Sequence, residues 1–153
     1  MGKISRAEIV KFISENIQKF HKARLDSLLT LRLSKILKRK NLYLFKAKDI
    51  ATAQDLVKSI LDAHLSSQEE GVFGGFLEEL SIFICSMVYF GYKSSAEGID
   101  LELKKDQTQY IVTIKSGPNW GNSRQISKMR DDFKKAIKIL RTNSHAKNII
   151  AVN

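Results

Sequence analysis

The chain has 153 residues, a formal net charge of +10, a hydrophobic share of 43% and one proline. These values favour a single packed domain over a disordered chain. The one cysteine, Cys85, excludes an intramolecular disulfide and suits a reducing cytoplasm. No N-terminal apolar run has the length of a signal peptide, and the most apolar stretch, residues 80–90, is too short to span a bilayer, so we expect no membrane partner.

The charge is distributed unevenly along the chain. Residues 1–50 contain 13 basic and 4 acidic side chains, residues 51–100 contain 2 and 8, and residues 101–153 contain 11 and 4. An acidic middle between basic flanks suits a protein that holds a polyanion and gathers carboxylates around a cation. A solvated basic surface explains the same charges equally well.

The N-terminal region is predicted to consist of amphipathic helices. Ser5-x-x-Glu8 is a capping box, and apolar residues follow it at helical spacing as far as Phe20. A second helix is expected over residues 25–37 and a third over residues 52–65. The basic stretch Lys35–Lys40, at the end of the second helix, is either a DNA arm or a solvated helix end.

A fourth helix is predicted from the start signal Ser67-x-x-Glu70. The segment 73–90 is apolar almost all round, which predicts a helix buried on most sides. Glu78 and Glu79 stand out on it, because a buried charge must be solvated, paired or bound to a metal. Alternatively, these two acids form the one exposed strip of the helix.

After Gly91 the pattern changes to alternation. Polar and apolar side chains alternate in residues 98–104 and again in residues 109–115, and a polar turn lies between the two segments. This pattern predicts a β-hairpin. A loop over residues 116–122, a helix over 123–142 and a short strand over 148–152 follow. The second hairpin strand, this helix and the last strand predict a βαβ unit with parallel strands.

The hairpin gathers the residue types of a metal-dependent site. Asp100 and Glu102 share one face of the first strand, and Thr113 and Lys115 share one face of the second, while the apolar faces are expected to point at the core. Two carboxylates beside a lysine suit a hard divalent cation and a polyanionic substrate. The alternative is the solvated face of an amphipathic hairpin.

These residues are similar to the PD-(D/E)XK nuclease signature, with Asp100 followed by Thr113-Ile114-Lys115 on the next strand. The stretches SSQEEGVFGGFLEEL and GIDLEL…YIVTIKSGPNWGN more specifically resemble a type II restriction endonuclease over roughly residues 40–153. The resemblance implies an α/β fold with an αβββαβ core, in which a mixed sheet is flanked by helices. We expect an N-terminal helical region over residues 1–65 and a nuclease core over 66–153, with 91–95 as the first core strand.

The chain departs from the family pattern at Thr113, where Glu or Asp is usual, so a second acid is expected from elsewhere. Four acids are candidates for it, in the order Glu78, Glu102 and then Asp131 and Asp132, which lie off the predicted inward stripe of their helix. Gly98-Ile99 also replaces the family's proline before the aspartate. The chain stops directly after the last strand, which predicts an abrupt domain end or a C-terminal truncation.

By this resemblance, Asp100, the Ile114 backbone carbonyl and an acidic partner such as Glu78 would bind Mg²⁺, with Mn²⁺ as the expected substitute. Lys115 would orient or activate the attacking water, and cleavage would leave a 5′-phosphate and a 3′-hydroxyl. Candidates for DNA contact lie beside this site: Asn119, Trp120, Asn122, Arg124, Gln125 and Lys128. For Trp120 loop packing is an equal alternative, and for Gln125 a helix cap is the preferred one.

The resemblance therefore implies a prokaryotic, cytoplasmic restriction–modification enzyme that cleaves double-stranded DNA as a sequence-specific homodimer. The rival hypothesis is a non-catalytic nucleic-acid-binding domain with a decayed nuclease fold, and Thr113 is the residue in its favour. A purely structural helical protein is a poorer alternative, because it leaves the polar face of the hairpin unexplained.

Overall fold

The computed structural model describes residues 2–38, 40–115, 117, 120–143 and 148–153. Its elements in chain order are α1 (Arg6–Leu29), α2 (Leu33–Leu37), α3 (Leu42–Ala47), α4 (Ala53–Tyr89), β1 (Tyr92–Lys93), β2 (Leu101–Lys105), β3 (Thr108–Val112), α5 (Ser123–Asn143) and β4 (Asn148–Val152). The four strands form one mixed sheet in the order β1-β2-β3-β4. The predicted α/β class, with a helical N-terminal region, is confirmed.

Helix α1 begins where the sequence predicts but runs further. The Ser5 hydroxyl accepts from the Glu8 N–H at 3.2 Å, and the Glu8 carboxylate accepts from the Ser5 N–H at 2.8 Å. The hydrogen bonds that the Glu8 carboxylate accepts from the N–H and from the hydroxyl of Ser5 lower the pKa of Glu8. The predicted second helix is divided, because residues 25–29 continue α1 and only residues 33–37 form α2.

Helix α4 is one continuous element of 37 residues. Thr52 and Asp55 cap its start, where the Thr52 hydroxyl accepts from the Asp55 N–H. The predicted start at Ser67 is wrong. A capping signal has no effect inside a helix, because the preceding turns already satisfy the backbone N–H groups. The expected burial of its apolar half is also wrong, since Ile60 is the one described α4 residue that is buried. By length and composition the whole helix could cross a membrane, although a single such helix is weak evidence for a span.

The sheet follows the predicted order of strands. Strand β2 pairs antiparallel with both β1 and β3, and β3 pairs in parallel with β4, which confirms the hairpin and the parallel crossover. Asp106 in the hairpin turn has a φ of +54°, a left-handed conformation that aspartate tolerates better than most residues. Strand β1 falls inside the predicted segment 91–95.

Both faces of the hairpin are covered, which corrects the predicted division into an apolar core face and a polar solvent face. Helix α5 packs its Phe133 and Ala136 against Ile111, on the face that also carries Thr113. On the opposite face, a Cβ at Gly91 would lie 3.2 Å from the Cβ of Cys85 and 3.3 Å from that of Leu103. Alternation correctly divides the side chains between two faces, but it does not say which face a helix will cover.

The chain forms two compact units with bounds that differ from the predicted ones. The sheet unit contains residues 1–16 and 74–153, and the helical unit contains residues 17–73. The start of the chain belongs to the sheet unit: the Gly2 N–H donates to the Val88 carbonyl at 3.0 Å, and the ring centroids of Phe12 and Phe83 lie 4.3 Å apart. Helices α1 and α4 each contribute residues to both units.

Candidate active site

Asp100 is fixed at the entrance to β2 by three hydrogen bonds. Its N–H donates to the Val112 carbonyl at 3.0 Å, and its own carbonyl accepts from the Ser94 N–H at 3.2 Å. Its carboxylate Oδ2 accepts from the Ile114 N–H at 2.7 Å. The side chain is still 22% exposed, so the carboxylate is oriented by the backbone without being removed from solvent.

Lys115 lies beside this carboxylate, as the sequence predicts. Its Nζ is 3.9 Å from Asp100 Oδ2 and 5.4 Å from the centroid of the Trp120 ring. The lysine side chain is 34% exposed. A cation at this distance from an indole face is attracted by the ring quadrupole. Asp100, Lys115 and Trp120 therefore form one cluster at the end of the hairpin.

Glu102 lies on the same strand face as Asp100 but in a different environment. It is only 6% exposed. Its carboxylate accepts from Ser94 Oγ at 2.6 Å, from Gln109 Nε2 at 3.0 Å and from the Tyr92 hydroxyl at 3.1 Å. Burial first, and then the charge of Glu102, raise the pKa of Tyr92. Glu102 is thus committed to an internal hydrogen-bond network.

Glu78, the first candidate for the missing acid, is engaged elsewhere. Its Oε1 lies 3.2 Å from the Nζ of Lys93, and Lys93 is the residue of β1 that pairs with Leu101 of β2. Within the described ranges, no three or more His, Cys, Asp or Glu side chains approach closely enough to hold a metal ion together. The structure therefore does not bring Asp100, Glu78 and Glu102 into one group, and the role of Glu78 in metal binding stays a prediction.

Thr113 is 2% exposed and faces away from solvent toward β4 and α5. Its hydroxyl donates to Asn153 Oδ1 at 2.9 Å and lies 3.5 Å from Met129 Sδ. The sequence reasoning missed Asn153, although the parallel register was a usable signal: Val112 pairs with Val152, which brings the next residues of both strands together. The hydroxyl at position 113 thus supports the strand ends.

Asp132 is buried, at 5% exposure, and the prediction that it lies off the inward face of its helix is wrong. The absence of a side chain at Gly98 explains how the Asp132 carboxylate fits in the interior. Gly98 has a φ of +74°, and a Cβ there would come within 2.5 Å of Asp132 Oδ2. Asp131 is exposed and pairs with Lys134 at 3.2 Å. The carboxylate of Asp132 therefore occupies the space that a side chain at position 98 would need.

Several predicted DNA contacts have structural partners. Asn122 Oδ1 accepts from the Gln125 N–H at 3.1 Å, and Gln125 Oε1 accepts from the Asn122 N–H at 2.8 Å, so both residues cap α5 as was expected for Gln125. Lys128 donates to Asp132 at 3.0 Å and to Glu97 at 3.3 Å, and these bonds raise its pKa. Arg124 lines an open groove along α5. Asn119 lies outside the described residues.

The comparison with protein families decides the classification. The family model described as "Type II restriction endonuclease EcoO109I" matches residues 7–153. The chain belongs to this family of type II restriction endonucleases. The match begins well before residue 40, so the EcoO109I family includes the N-terminal helices as well as the sheet. Neither the curated proteins nor the solved structures contained a match to the chain.

Membership of the EcoO109I family places the chain among the type II restriction endonucleases, a family that implies DNA as the substrate. It also confirms the family that the sequence resembles. The residues that carry out the chemistry do not follow from the family match, and their assignment depends on the geometry described above.

Proposed function

We propose that this chain cleaves double-stranded DNA at the Asp100–Lys115 cluster in a Mg²⁺-dependent reaction. The observation that carries the proposal is the 3.9 Å separation between Lys115 Nζ and Asp100 Oδ2 at a partly exposed end of the sheet. A carboxylate beside a cation suits a site that must hold both a metal ion and a phosphodiester. The buried acids, Glu102 and Asp132, are less accessible to either.

The donor set fits Mg²⁺ in its usual mode of binding. Proteins commonly hold this ion through one or two carboxylates, with waters and substrate phosphates completing the octahedron. Asp100 supplies a solvent-accessible carboxylate, and the neighbouring Ile114 carbonyl is the expected second protein oxygen. Mn²⁺ has the same ligand preference and should substitute.

Each residue of the cluster has a distinct part in the proposed mechanism. The Ile114 N–H holds the Asp100 carboxylate in one orientation. The Lys115 ammonium, steadied by the Trp120 ring, orients the attacking water and stabilises the negative charge that develops on the phosphate oxygens. Mg²⁺, when bound, supplies Lewis-acid stabilisation of that charge and lowers the pKa of water. In-line attack breaks the bond to the 3′-oxygen, which leaves a 5′-phosphate and a 3′-hydroxyl.

The rival function is DNA binding without cleavage. Thr113 favours it, because its hydroxyl cannot replace the carboxylate usual at that position and is bonded to Asn153. Under this alternative the Asp100–Lys115 pair would bind phosphate but would not support hydrolysis.

We also propose that the enzyme acts as a homodimer in a prokaryotic cytoplasm, as part of a restriction–modification system. A palindromic site would be matched by a two-fold symmetric protein, and a cut in both strands needs one active centre for each strand. The single cysteine suits a reducing compartment.

Incubation of plasmid DNA with the protein separates the two functions. With Mg²⁺ we expect discrete linear fragments whose ends can be joined by DNA ligase without prior phosphorylation. With EDTA we expect intact plasmid. Binding of the same DNA with no cleavage in Mg²⁺ or Mn²⁺ would instead favour the decayed nuclease.

A further inference from the structure

We propose that Glu102 is a positioning residue that holds Asp100 in place through Ser94. The inference rests on the proposed role of Asp100 in metal binding, but it concerns residues that the family match does not assign. In this arrangement a buried carboxylate fixes the orientation of an accessible one.

The first step is the environment of Glu102. A buried carboxylate is tolerated only where hydrogen bonds replace its lost hydration. Glu102 has three neutral donors, from Ser94, Gln109 and Tyr92, and no ion pair with any described residue. Tyr92, Glu102 and Gln109 belong to β1, β2 and β3, so the hydrogen bonds that replace the hydration of Glu102 also fix three strands at one point.

The second step is the double connection of Ser94. Its hydroxyl donates to Glu102 at 2.6 Å, and its backbone N–H donates to the Asp100 carbonyl at 3.2 Å. The same hydroxyl accepts from the Ala96 N–H at 3.0 Å, which fixes the turn that leads back to Asp100. Ser94 is therefore the described residue that hydrogen-bonds both to Glu102 and to the backbone of Asp100.

The third step is the difference between Ser94 and the other two donors. Tyr92 and Gln109 satisfy the same carboxylate but do not hydrogen-bond to Asp100. Loss of the Tyr92 hydroxyl should weaken the network, whereas loss of the Ser94 hydroxyl should also release the Asp100 backbone. If Glu102 only stabilised the sheet, loss of the Ser94 hydroxyl and loss of the Tyr92 hydroxyl would have the same effect on Asp100.

The Ile114 amide is a direct reporter of the Asp100 carboxylate, because its N–H donates to Oδ2 at 2.7 Å. We would record its ¹⁵N–¹H resonance and hydrogen-exchange rate in the wild type and in Ser94→Ala, Tyr92→Phe and Ser95→Ala. Ser95 is the matched control, since it is an exposed serine next in the chain. The same resonance would then be followed during a titration with Mg²⁺ alone.

We expect Ser94→Ala to shift the Ile114 resonance, to speed its exchange and to weaken Mg²⁺ binding by about 10-fold, the scale for loss of a residue that orients a metal ligand. Tyr92→Phe and Ser95→Ala should leave the resonance and the Mg²⁺ titration close to wild type. An Ile114 resonance unchanged in Ser94→Ala, or changed equally in Tyr92→Phe, would overturn the proposal. Failure of the proposed function is distinguishable, because the resonance in the metal-free chain reports on Asp100 whether or not Mg²⁺ binds or DNA is cut.

Discussion

The sheet unit and the helical unit differ in what they bury. All four polar side chains that the structure describes as buried belong to the sheet unit: Glu102, Gln109, Thr113 and Asp132. In the helical unit the described buried side chains are Phe45 and Ile60, both apolar. A buried polar side chain needs partners with defined geometry, whereas an apolar one needs only close packing.

This difference separates two tasks. Networks of buried polar groups can hold catalytic side chains to within fractions of an ångström, which the cluster of Asp100 and Lys115 requires. The helical unit contains 11 basic and 6 acidic residues, and charges of this kind suit contact with a phosphate backbone. We expect substitutions in the sheet unit to alter the rate at which bound DNA is cleaved. Substitutions in the helical unit should instead alter the affinity for DNA.

The largest effect should come from Lys115→Ala. The variant removes the cation beside Asp100 without leaving a core cavity, and we expect cleavage to fall by roughly 100-fold or more with folding and most DNA binding retained. Single-turnover cleavage and a binding assay on the same DNA measure the two quantities. Lys134→Ala, at an exposed position of α5, is the control, and near-normal cleavage by a well-folded Lys115→Ala would refute the assignment.

The helical unit should act through affinity. Lys35 and Lys40 line a cavity of about 360 Å³ with His64, and neither lysine pairs with a described carboxylate. The double variant Lys35→Ala/Lys40→Ala should weaken DNA binding by about 10-fold and lower the slope of log affinity against log salt by about 2, because two phosphate contacts are lost.

Cleavage by this double variant at saturating DNA should match the wild type. The matched control is Lys58→Ala, which removes an exposed lysine from the acidic middle segment. An unchanged salt slope in the double variant, or an equal change in Lys58→Ala, would show that this cavity is not a DNA contact.

A smaller effect is expected at Trp120. Loss of the ring in Trp120→Leu removes the contact that steadies Lys115, and at a partly exposed cation–π pair this should reduce the cleavage rate by about two- to fivefold. Trp120→Phe retains an aromatic face and should recover most of the loss. If both variants instead weaken DNA binding without slowing cleavage, Trp120 is a DNA contact, as the alternative interpretation of the sequence allows.

The smallest effect should be at Glu78. Its pair with the exposed Lys93 is of the kind that contributes about 0–1 kcal/mol, so Glu78→Gln and Lys93→Ala should change the melting temperature little and to a similar extent. If Glu78 serves only as the partner of Lys93, neither variant should alter the Mg²⁺ concentration needed for half-maximal cleavage. A requirement raised about 10-fold in Glu78→Gln alone would restore this acid as the missing ligand.

The hairpin and its polar cluster were predictable because strand alternation is local. Asp100 and Lys115 lie together as expected, since the antiparallel register that pairs Leu101 with Val112 follows from the length of the turn. The partners of Glu102 were not predictable in the same way. Tyr92 and Ser94 come from outside the hairpin, and only the pairing of β1 brings them to the carboxylate.

The remaining errors have the same cause. The pattern of the helix alone predicts Asp132 outside the inward stripe, whereas the burial of Asp132 depends on the space that Gly98 leaves on another segment. The start signal at Ser67 matched a capping pattern, but the helix that already ran from Ala53 overrode it. Local patterns therefore predict elements and faces, and they fail where the deciding contact comes from a distant part of the chain.

The most direct test of the central claim is cleavage of DNA by Asp100→Asn beside the wild type, with Mg²⁺ at saturation. Asn keeps the size of the side chain and an oxygen that can accept from the Ile114 N–H, but it removes the charge. The control is Asp131→Asn, which changes an exposed acid on α5. We predict cleavage lost in Asp100→Asn, retained in Asp131→Asn, and DNA binding retained in both. Cleavage by Asp100→Asn at the wild-type rate would contradict the assignment of the active site to this end of the sheet.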